Sequence, residues 1–233
     1  EEIASHLFEA GAENPMAEPQ AWHRVEAATD DVEWYLEFYC EPKDYFPKKY
    51  NTNLVHSEVL EAVEIVPAGK ALDLGCGQGR NALLLAQHGF DVTAVDQNEL
   101  ALEILQSIVA EEDLEMPVGL YDINAAALTQ NYDFIVSTVV LMFLDADRIP
   151  AIIRNMQEHT NPGGYNLIVC AMDTEDYPCQ MPFSFTFKEG ELAEYYKDWE
   201  LVKYNENPGH LHRRDENGHR IQLRFATMLA KKK

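Results

Sequence analysis

Glycines at positions 75, 77 and 79 in the run ALDLGCGQGRNA, and the aspartates Asp73, Asp96 and Asp122, are residues whose types and spacing can do chemistry together. Glycine lets a backbone approach a ligand closely and take conformations closed to other residues. The spacing is GxGxG. A dinucleotide fingerprint is GxGxxG, and its last glycine would fall where Arg80 stands. That mismatch disfavours NAD and FAD, and with them a dehydrogenase. Asp73 precedes the glycine turn and is placed to meet a ligand's ammonium group. Asp96, in DVTAVDQN, can take both hydroxyls of a ribose, and Asp122, in LYDIN, can accept a hydrogen bond from an adenine amino group. Any one of them could instead cap a helix. All three at the carboxyl ends of consecutive strands, where open α/β sheets bind ligands, describe one site.

A second group is basic. HLHRRDENGHRIQLRF, residues 210–225, holds three of the chain's eight histidines and four arginines. Residues 201–233 carry eight Lys/Arg against three Asp/Glu, a net of +5; the whole chain is at -22, so residues 1–200 carry -27. So acidic a body argues against nucleic acid as a partner, because phosphate binding needs clustered Lys and Arg. Its plain use is solubility. The arginine fork suits oxyanions. DENG reads as a hairpin turn, which brings His212 and Arg213 on one strand beside Arg220 on the next, facing one pocket. Strict alternation turns Arg214 and His219 away. The alternative is a solvated hairpin balanced by Asp215 and Glu216.

The elements that must position these residues follow from periodicity. In VEWYLEFYC, Val32, Trp34, Leu36, Phe38 and Cys40 alternate with polar neighbours, which predicts a half-buried strand. AWHRVEA, residues 21–27, predicts a second, with 29–31 as the turn. Residues 41–53 read as a linker, and 54–65 as a helix. Strands are then predicted at 70–74, 90–95, 117–121, 132–137 and 164–172, and helices at 79–88, 99–111, 147–160 and 188–197. Apolar runs separated by amphipathic helices mark a parallel sheet covered on both faces. Two further strands, 199–205 and 219–229, are predicted to flank the DENG turn.

DLGCGQG followed by AVDQN and YDIN resembles the class I S-adenosylmethionine-dependent methyltransferases. The resemblance implies an α/β fold with a doubly wound, mostly parallel seven-stranded, Rossmann-like sheet and a C-terminal antiparallel hairpin. It implies S-adenosylmethionine as cofactor, with Asp73 and the loop of Gly75, Cys76, Gly77 and Gly79 at the methionine part, and Asn81 among the cofactor-binding residues. Asp96 would take the ribose, Gln97 would lie against the adenine, and Asp122 with Ile123 would read the adenine edge. FIVSTVVLMFL, NPGGYNLIVCAMDTEDYPC, FKEGEL and RFATMLAKK narrow the resemblance to tellurite-resistance methyltransferases of the TehB type. In that family Ser137, Thr138 and Val139 would line the pocket near the sulfonium, and His212, Arg213 and Arg220 would hold the oxyanion. The implied activity is methylation of tellurite or selenite. Residues 46–233 would be the methyltransferase domain, and 1–45 the end of a β-rich, cupin-like domain of which most is missing. Kept beside this are a methyltransferase for a small organic acid or thiol, and a non-catalytic sensor of the cofactor or an oxyanion.

Residues 173–187, DTEDYPCQMPFSFTF, put Phe183, Phe185 and Phe187 on one face if extended, as a lid that excludes water or as a loop packed by its aromatics. Cys40, Cys76, Cys170 and Cys179 form no CxxC pair, which points to free thiols in a reducing compartment, the cytoplasm. Cys179 is read as packing. His23 lacks companion ligands, so no metal is expected. No apolar run reaches the ~18 residues of a membrane span, so the expected partner is a small oxyanion, with neither nucleic acid nor membrane. The chain opens Glu-Glu-Ile with no initiator methionine, as a fragment would.

Overall fold

The computed structural model describes residues 22–27, 34–38, 42–214 and 218–233. The chain divides into two compact units, Glu1–Asn51 and Thr52–Lys233. In the first, β1 (Trp22–Ala27) and β2 (Trp34–Phe38) pair antiparallel, with Val25 opposite Leu36. The predicted linker is instead partly helical, as α1 (Pro42–Tyr50). Two prolines hide it. Pro42 sits at the first helical position, where the missing N–H has no intrahelical acceptor to lose, and Lys48 pairs with Asp44 one turn away at 3.4 Å.

The second unit begins with α2 (Ser57–Ala62), shorter than the predicted helix. There follow β3 (Lys70–Leu74), α3 (Arg80–Gln87), β4 (Asp91–Asp96), α4 (Glu99–Glu111), β5 (Val118–Leu120) and β6 (Tyr132–Thr138). Then come α5 (Ile149–Glu158), β7 (Thr160–Ala171), α6 (Glu191–Tyr195), β8 (Glu200–Asn205), β9 (Pro208–Arg214) and β10 (Arg220–Lys231). Along the sheet the order is β5-β4-β3-β6-β7-β10-β8, seven strands in one path, with β9 pairing β10 beside it. From β5 to β7 the neighbours are parallel. β10 runs antiparallel to both β7 and β8. The fold is therefore the expected mostly parallel Rossmann-like sheet.

One strand escaped prediction. PGHLHRR has no apolar alternation, so β9 gives no burial signal; it is held by pairing with the first half of β10, where Arg220 stands opposite Arg214. DENG thus lies between β9 and β10 in the chain, and not between β8 and β10 as the sequence suggests; the predicted turn itself, at 215–217, lies outside the described residues.

Layering explains the buried runs. Ala71, Leu72 and Leu74 of β3, Phe134, Ile135 and Val136 of β6, and residues 167–171 of β7 are all nearly inaccessible. A parallel sheet with helices on both faces needs such continuous apolar strands. In α4, Ala101, Leu102, Leu105 and Ile108 form the buried stripe, and Asn98 caps the helix by accepting from the Ala101 N–H at 3.2 Å. One polar chain crosses the core. The Tyr196 hydroxyl donates to Asn166 Oδ1 at 2.8 Å, and Asn166 Nδ2 donates to Thr160 Oγ1 at 2.8 Å. All three are buried. Tyr196→Phe strands the Asn166 oxygen without its donor, so it is expected to cost about 1–3 kcal/mol of stability in a urea titration.

Candidate functional site

The strand order reverses at β3, with β4 on one side and β6 on the other. Such a switch point opens a crevice at the carboxyl ends of the strands. The glycine loop lies there. Gly75, Gly77 and Gly79 have φ of 86°, 54° and 82°, all left-handed. The loop is stitched to β4: the Gly75 and Cys76 amides donate to the Val95 carbonyl at 2.9 and 3.0 Å, and the Gly77 amide to Asp96 Oδ2 at 2.8 Å. The three glycines differ in what a side chain would meet. A Cβ on Gly75 would lie 2.5 Å from Val140 Cγ2, and one on Gly79 2.3 Å from Leu105 Cδ1; one on Gly77 would meet nothing within 4 Å. Packing demands two of the glycines, and the third keeps space open.

That space is a cleft of about 280 Å³. Gly75, Cys76, Gly77, Asn81, Thr138 and Val139, all predicted, line it together with Asn53, Gln78, Arg80 and Val140. Asn81 is 3% exposed and fixed on both sides: its Nδ2 donates to Thr138 Oγ1 at 2.9 Å, and its Oδ1 accepts from the His56 amide at 3.2 Å. His56 caps α2, with Nδ1 accepting from the Glu58 amide at 3.2 Å. Burial, with Arg80 and Lys203 nearby, pushes this histidine down to about 4, which keeps the ring neutral and able to accept. The end of β6 carries two costly features. Val139 is β-branched yet has φ of 61°. The Ser137 hydroxyl is buried without a hydrogen-bond partner among the described residues. Such features gather at functional sites.

Asp73 is 1% exposed and is not on the cleft wall; its Oδ2 accepts from the Ala82 amide at 3.0 Å in the first turn of α3. Burial pushes its carboxyl up to about 7, against the Ala82 hydrogen bond and Arg80. An acid with a raised folded pKa holds its proton more tightly when folded. Its stabilising contribution is complete below the unfolded value of 3.8 and is lost as pH rises towards about 7. The slope is about 1.4 kcal/mol per pH unit between these limits. Asp73→Asn is therefore expected to gain stability relative to the parent as pH rises from 4 to 7, with no further change above, in denaturant titrations of the ligand-free protein.

Asp96, Gln97, Asp122 and Ile123 lie beyond the glycine loop, at the ends of β4 and β5. Asp96 pairs with Leu120 across the strands, and the Tyr121 amide donates to the Asp96 carbonyl at 2.9 Å. Asp96 Oδ1 also accepts from the Asn98 amide at 2.9 Å. Asp122 is exposed and accepts from the Asn124 amide at 3.0 Å; Gln97 is exposed and Ile123 is buried. Each carboxylate keeps lone pairs for a ligand.

On the basic hairpin, Arg220 is exposed at the start of β10. The β9 backbone carries His212 and Arg213 beside it, through the Arg220–Arg214 pairing; the side chains at 212–214 lie outside the described residues. Arg224, further along β10, is committed elsewhere. Its Nε donates to both oxygens of Asp176 at 3.0 Å and its guanidinium lies over the Tyr177 ring at 5.5 Å, which latches the 173–187 segment. That segment also packs by its aromatics, Phe143 against Phe183 at 5.4 Å and Phe185 against Phe187 at 4.8 Å. A further cavity of about 530 Å³ beside Arg224 is walled by Glu175, Asp176, Glu189 and Glu206.

Arg80 and Asn53 are cleft residues that the sequence reading missed. In the sequence Arg80 stands only where the dinucleotide spacing would need a glycine. The open side of Gly77, the fixed amide of Asn81 and the acceptors at Asp96 and Asp122 fit a ligand with an amino-acid end and a nucleoside end. Among the described residues, no helix is long and apolar enough to cross a membrane.

Comparison with known proteins identifies a family. Residues 38–229 match the family described as Tellurite resistance protein TehB, and residues 1–36 match the TehB-like domain. The chain is 59% identical over 231 residues to the probable S-adenosyl-L-methionine-dependent methyltransferase TehB of Haemophilus influenzae strain Rd, across 99% of this chain and 81% of that protein. It is 54% identical over 230 residues to hemagglutinin 1 of Eikenella corrodens, across 99% and 77%. The crystal structure of TehB from Haemophilus influenzae superposes with a TM-score of 0.83 at 61% identity, over 93% of this chain and 76% of that one. At 16% identity and a TM-score of 0.58, over 82% and 98%, the magnesium protoporphyrin IX methyltransferase of Synechocystis PCC 6803 with bound S-adenosylhomocysteine shares the fold alone.

Proposed function

The chain belongs to the TehB family of S-adenosylmethionine-dependent methyltransferases, and from that premise we propose that its acceptor is a small chalcogen oxyanion such as tellurite or selenite. S-Adenosylmethionine, when bound, supplies an electrophilic methyl group and leaves as the neutral thioether S-adenosylhomocysteine. The lone pair on the acceptor's chalcogen forms the new carbon bond, so the chain need not remove a proton and no general base is required. Its task is alignment of the reactants at ~3–3.5 Å and attraction of an anion into an acidic protein.

Each residue then has a task. The loop at Gly75, Cys76, Gly77 and Gly79, with Asn81, holds the amino-acid end of the cofactor, and Asp73 braces the start of α3 that follows the loop. Asp96 takes the ribose, Gln97 covers the adenine, and Asp122 with Ile123 reads its edge. Ser137, Thr138 and Val139 border the transferring methyl. His212, Arg213 and Arg220 hold the oxyanion, and the 173–187 segment shields the reaction from water.

The observation that carries this reading is the β9–β10 register, Arg220 opposite Arg214, within residues 201–233, which carry a net charge of +5. The reading takes the partner to be this small anion, with neither nucleic acid nor a membrane surface. It takes the compartment to be the reducing cytoplasm, supported by the unpaired thiols Cys76, Cys170 and Cys179.

The test is an acceptor panel. Release of S-adenosylhomocysteine is measured with tellurite, selenite, short carboxylic acids and thiols. Turnover with the oxyanions above the others supports the reading. Turnover confined to an organic acid or thiol moves the acceptor class, and tight cofactor binding with no turnover on any of them points to a sensor.

A further inference from the structure

We propose that the 173–187 segment is a strap with one fixed half and one releasable half, and that the Arg224–Asp176 ion pair is the latch that closes the releasable half. What the strap covers rests on the acceptor reading above; the latch itself is tested with neither cofactor nor acceptor.

The two halves are held differently. At the neck, the Asp173 amide donates to the Phe187 carbonyl and the Phe187 amide to the Ala171 carbonyl, both at 3.1 Å. In the second half, the Ser184 and Phe185 amides donate to the Met142 carbonyl at 3.0 and 3.3 Å, and Phe187 is wholly buried. These bonds tie it to β7 and to the turn after β6. From Thr174 to Gln180 there are no backbone-to-backbone hydrogen bonds among the described residues. There side chains hold the chain: Asp173 Oδ1 accepts from the Cys179 amide at 2.9 Å, and Thr174 Oγ1 donates to Asp176 Oδ1 at 2.8 Å. Exposed segments with few backbone bonds open at low free energy.

Arg224 ties this half to β10. Its Nη1 donates to the Glu206 carbonyl at 2.7 Å, which roots the guanidinium on the sheet side, while Nε donates to both Asp176 oxygens. The pairing holds the Asp176 carboxyl down at about 2, so both partners stay charged through the neutral range. The surrounding charge is one-sided. Glu175, Asp176, Glu189 and Glu206 line the cavity of about 530 Å³, with Arg224 as their counter-charge. Without the guanidinium the three glutamates would repel Asp176, which drives the tip outwards. The two side chains are 31% and 50% exposed, so salt reaches the pair and weakens it. The position of the strap gives the latch a use. Its fixed half sits on Met142, three residues past Val139 of the cofactor cleft, and its tip on Arg224, four residues along β10 from Arg220. Release of the tip would expose the span between them with the sheet intact.

Cys179 can report the release. It is half-buried and packs on the core beside the tip, whereas Cys170 is wholly buried. The full chain is treated with N-ethylmaleimide, a neutral reagent, and the modification rate of each cysteine is read by peptide mass spectrometry. Arg224→Gln and Asp176→Asn are each expected to raise the Cys179 rate by ~5- to 20-fold and to leave Cys170 unmodified. Arg224→Lys should fall between parent and Arg224→Gln, since it keeps the charge but loses the fork. Sodium chloride at about 1 M should raise the parent's rate and change the two variants little. The two substitutions shift the local charge in opposite senses. Rates that move in opposite directions would therefore mark an effect on thiol ionisation and overturn the latch. An unchanged Cys179 rate in both variants would also overturn it, as would Cys170 reacting in step, which marks a general support of the fold. A parent rate indifferent to salt would overturn it whether or not the variants fold.

Discussion

Arg220→Ala is expected to lower S-adenosylhomocysteine release on tellurite by ~100-fold or more, with cofactor affinity within about threefold of the parent. The residue starts β10, is exposed, and stands opposite Arg214 on the strand that carries Arg213. In a body at -27 over residues 1–200, an anion is repelled until it meets this hairpin. Removing one fork therefore takes away both hydrogen bonds and the charge that concentrates the acceptor. Arg213→Ala is expected to match it, and the double variant to fall by less than the product, because the two act on one ligand. Arg220→Lys should keep some activity, since a lysine supplies charge but not the fork. Turnover in the parent should also fall as salt is raised, through screening of the exposed charge. Initial rates at saturating cofactor check all of these. Unchanged turnover in Arg220→Ala would return the hairpin to a solvated surface.

The second large effect separates two glycines that look alike in sequence. Gly79→Ala is expected to destabilise the fold by about 2–5 kcal/mol. About 1–2 of these come from the left-handed backbone and about 1–3 from overpacking. Its Cβ would lie 2.3 Å from Leu105 Cδ1, and Leu105 is wholly buried against the sheet. Gly77→Ala has a φ of 54° and meets nothing within 4 Å, so only the backbone term applies to its stability. Gly77 lines the cleft, however. A methyl group there occupies ligand space, and S-adenosylhomocysteine affinity should fall by ~5- to 150-fold. Thermal melts and calorimetry on the two variants should therefore give opposite rankings. Equal stability loss in both would mean that the loop is a structural turn and no cradle.

The legible parts of the sequence were those fixed by repeated, local physics. The five parallel strands showed because both faces are covered, which writes unbroken apolar runs. The helix at Glu99–Glu111 was read to its ends, because Asn98 caps it and Leu102, Leu105 and Ile108 keep its period. The glycine loop showed because backbone φ and close packing admit few substitutes. What did not show depends on pairing or on distant neighbours. β9 has no burial pattern and exists through β10. α1 hides behind its prolines. Asp73 was read as facing a ligand, yet it is turned to the start of α3; no local pattern distinguishes these two uses of a strand-end carboxylate. Arg80 and Asn53 are 27 positions apart, and only the fold places both on one cleft.

The most direct measurement follows the methyl group itself. The protein is incubated with tellurite and S-adenosylmethionine bearing a deuterated methyl, and the tellurium-containing products are read by mass spectrometry. The account predicts a methylated tellurium product that carries the intact label, absent without the protein and nearly absent with Arg220→Ala. Tight cofactor binding with the label remaining on S-adenosylmethionine, for tellurite and selenite alike, would contradict it.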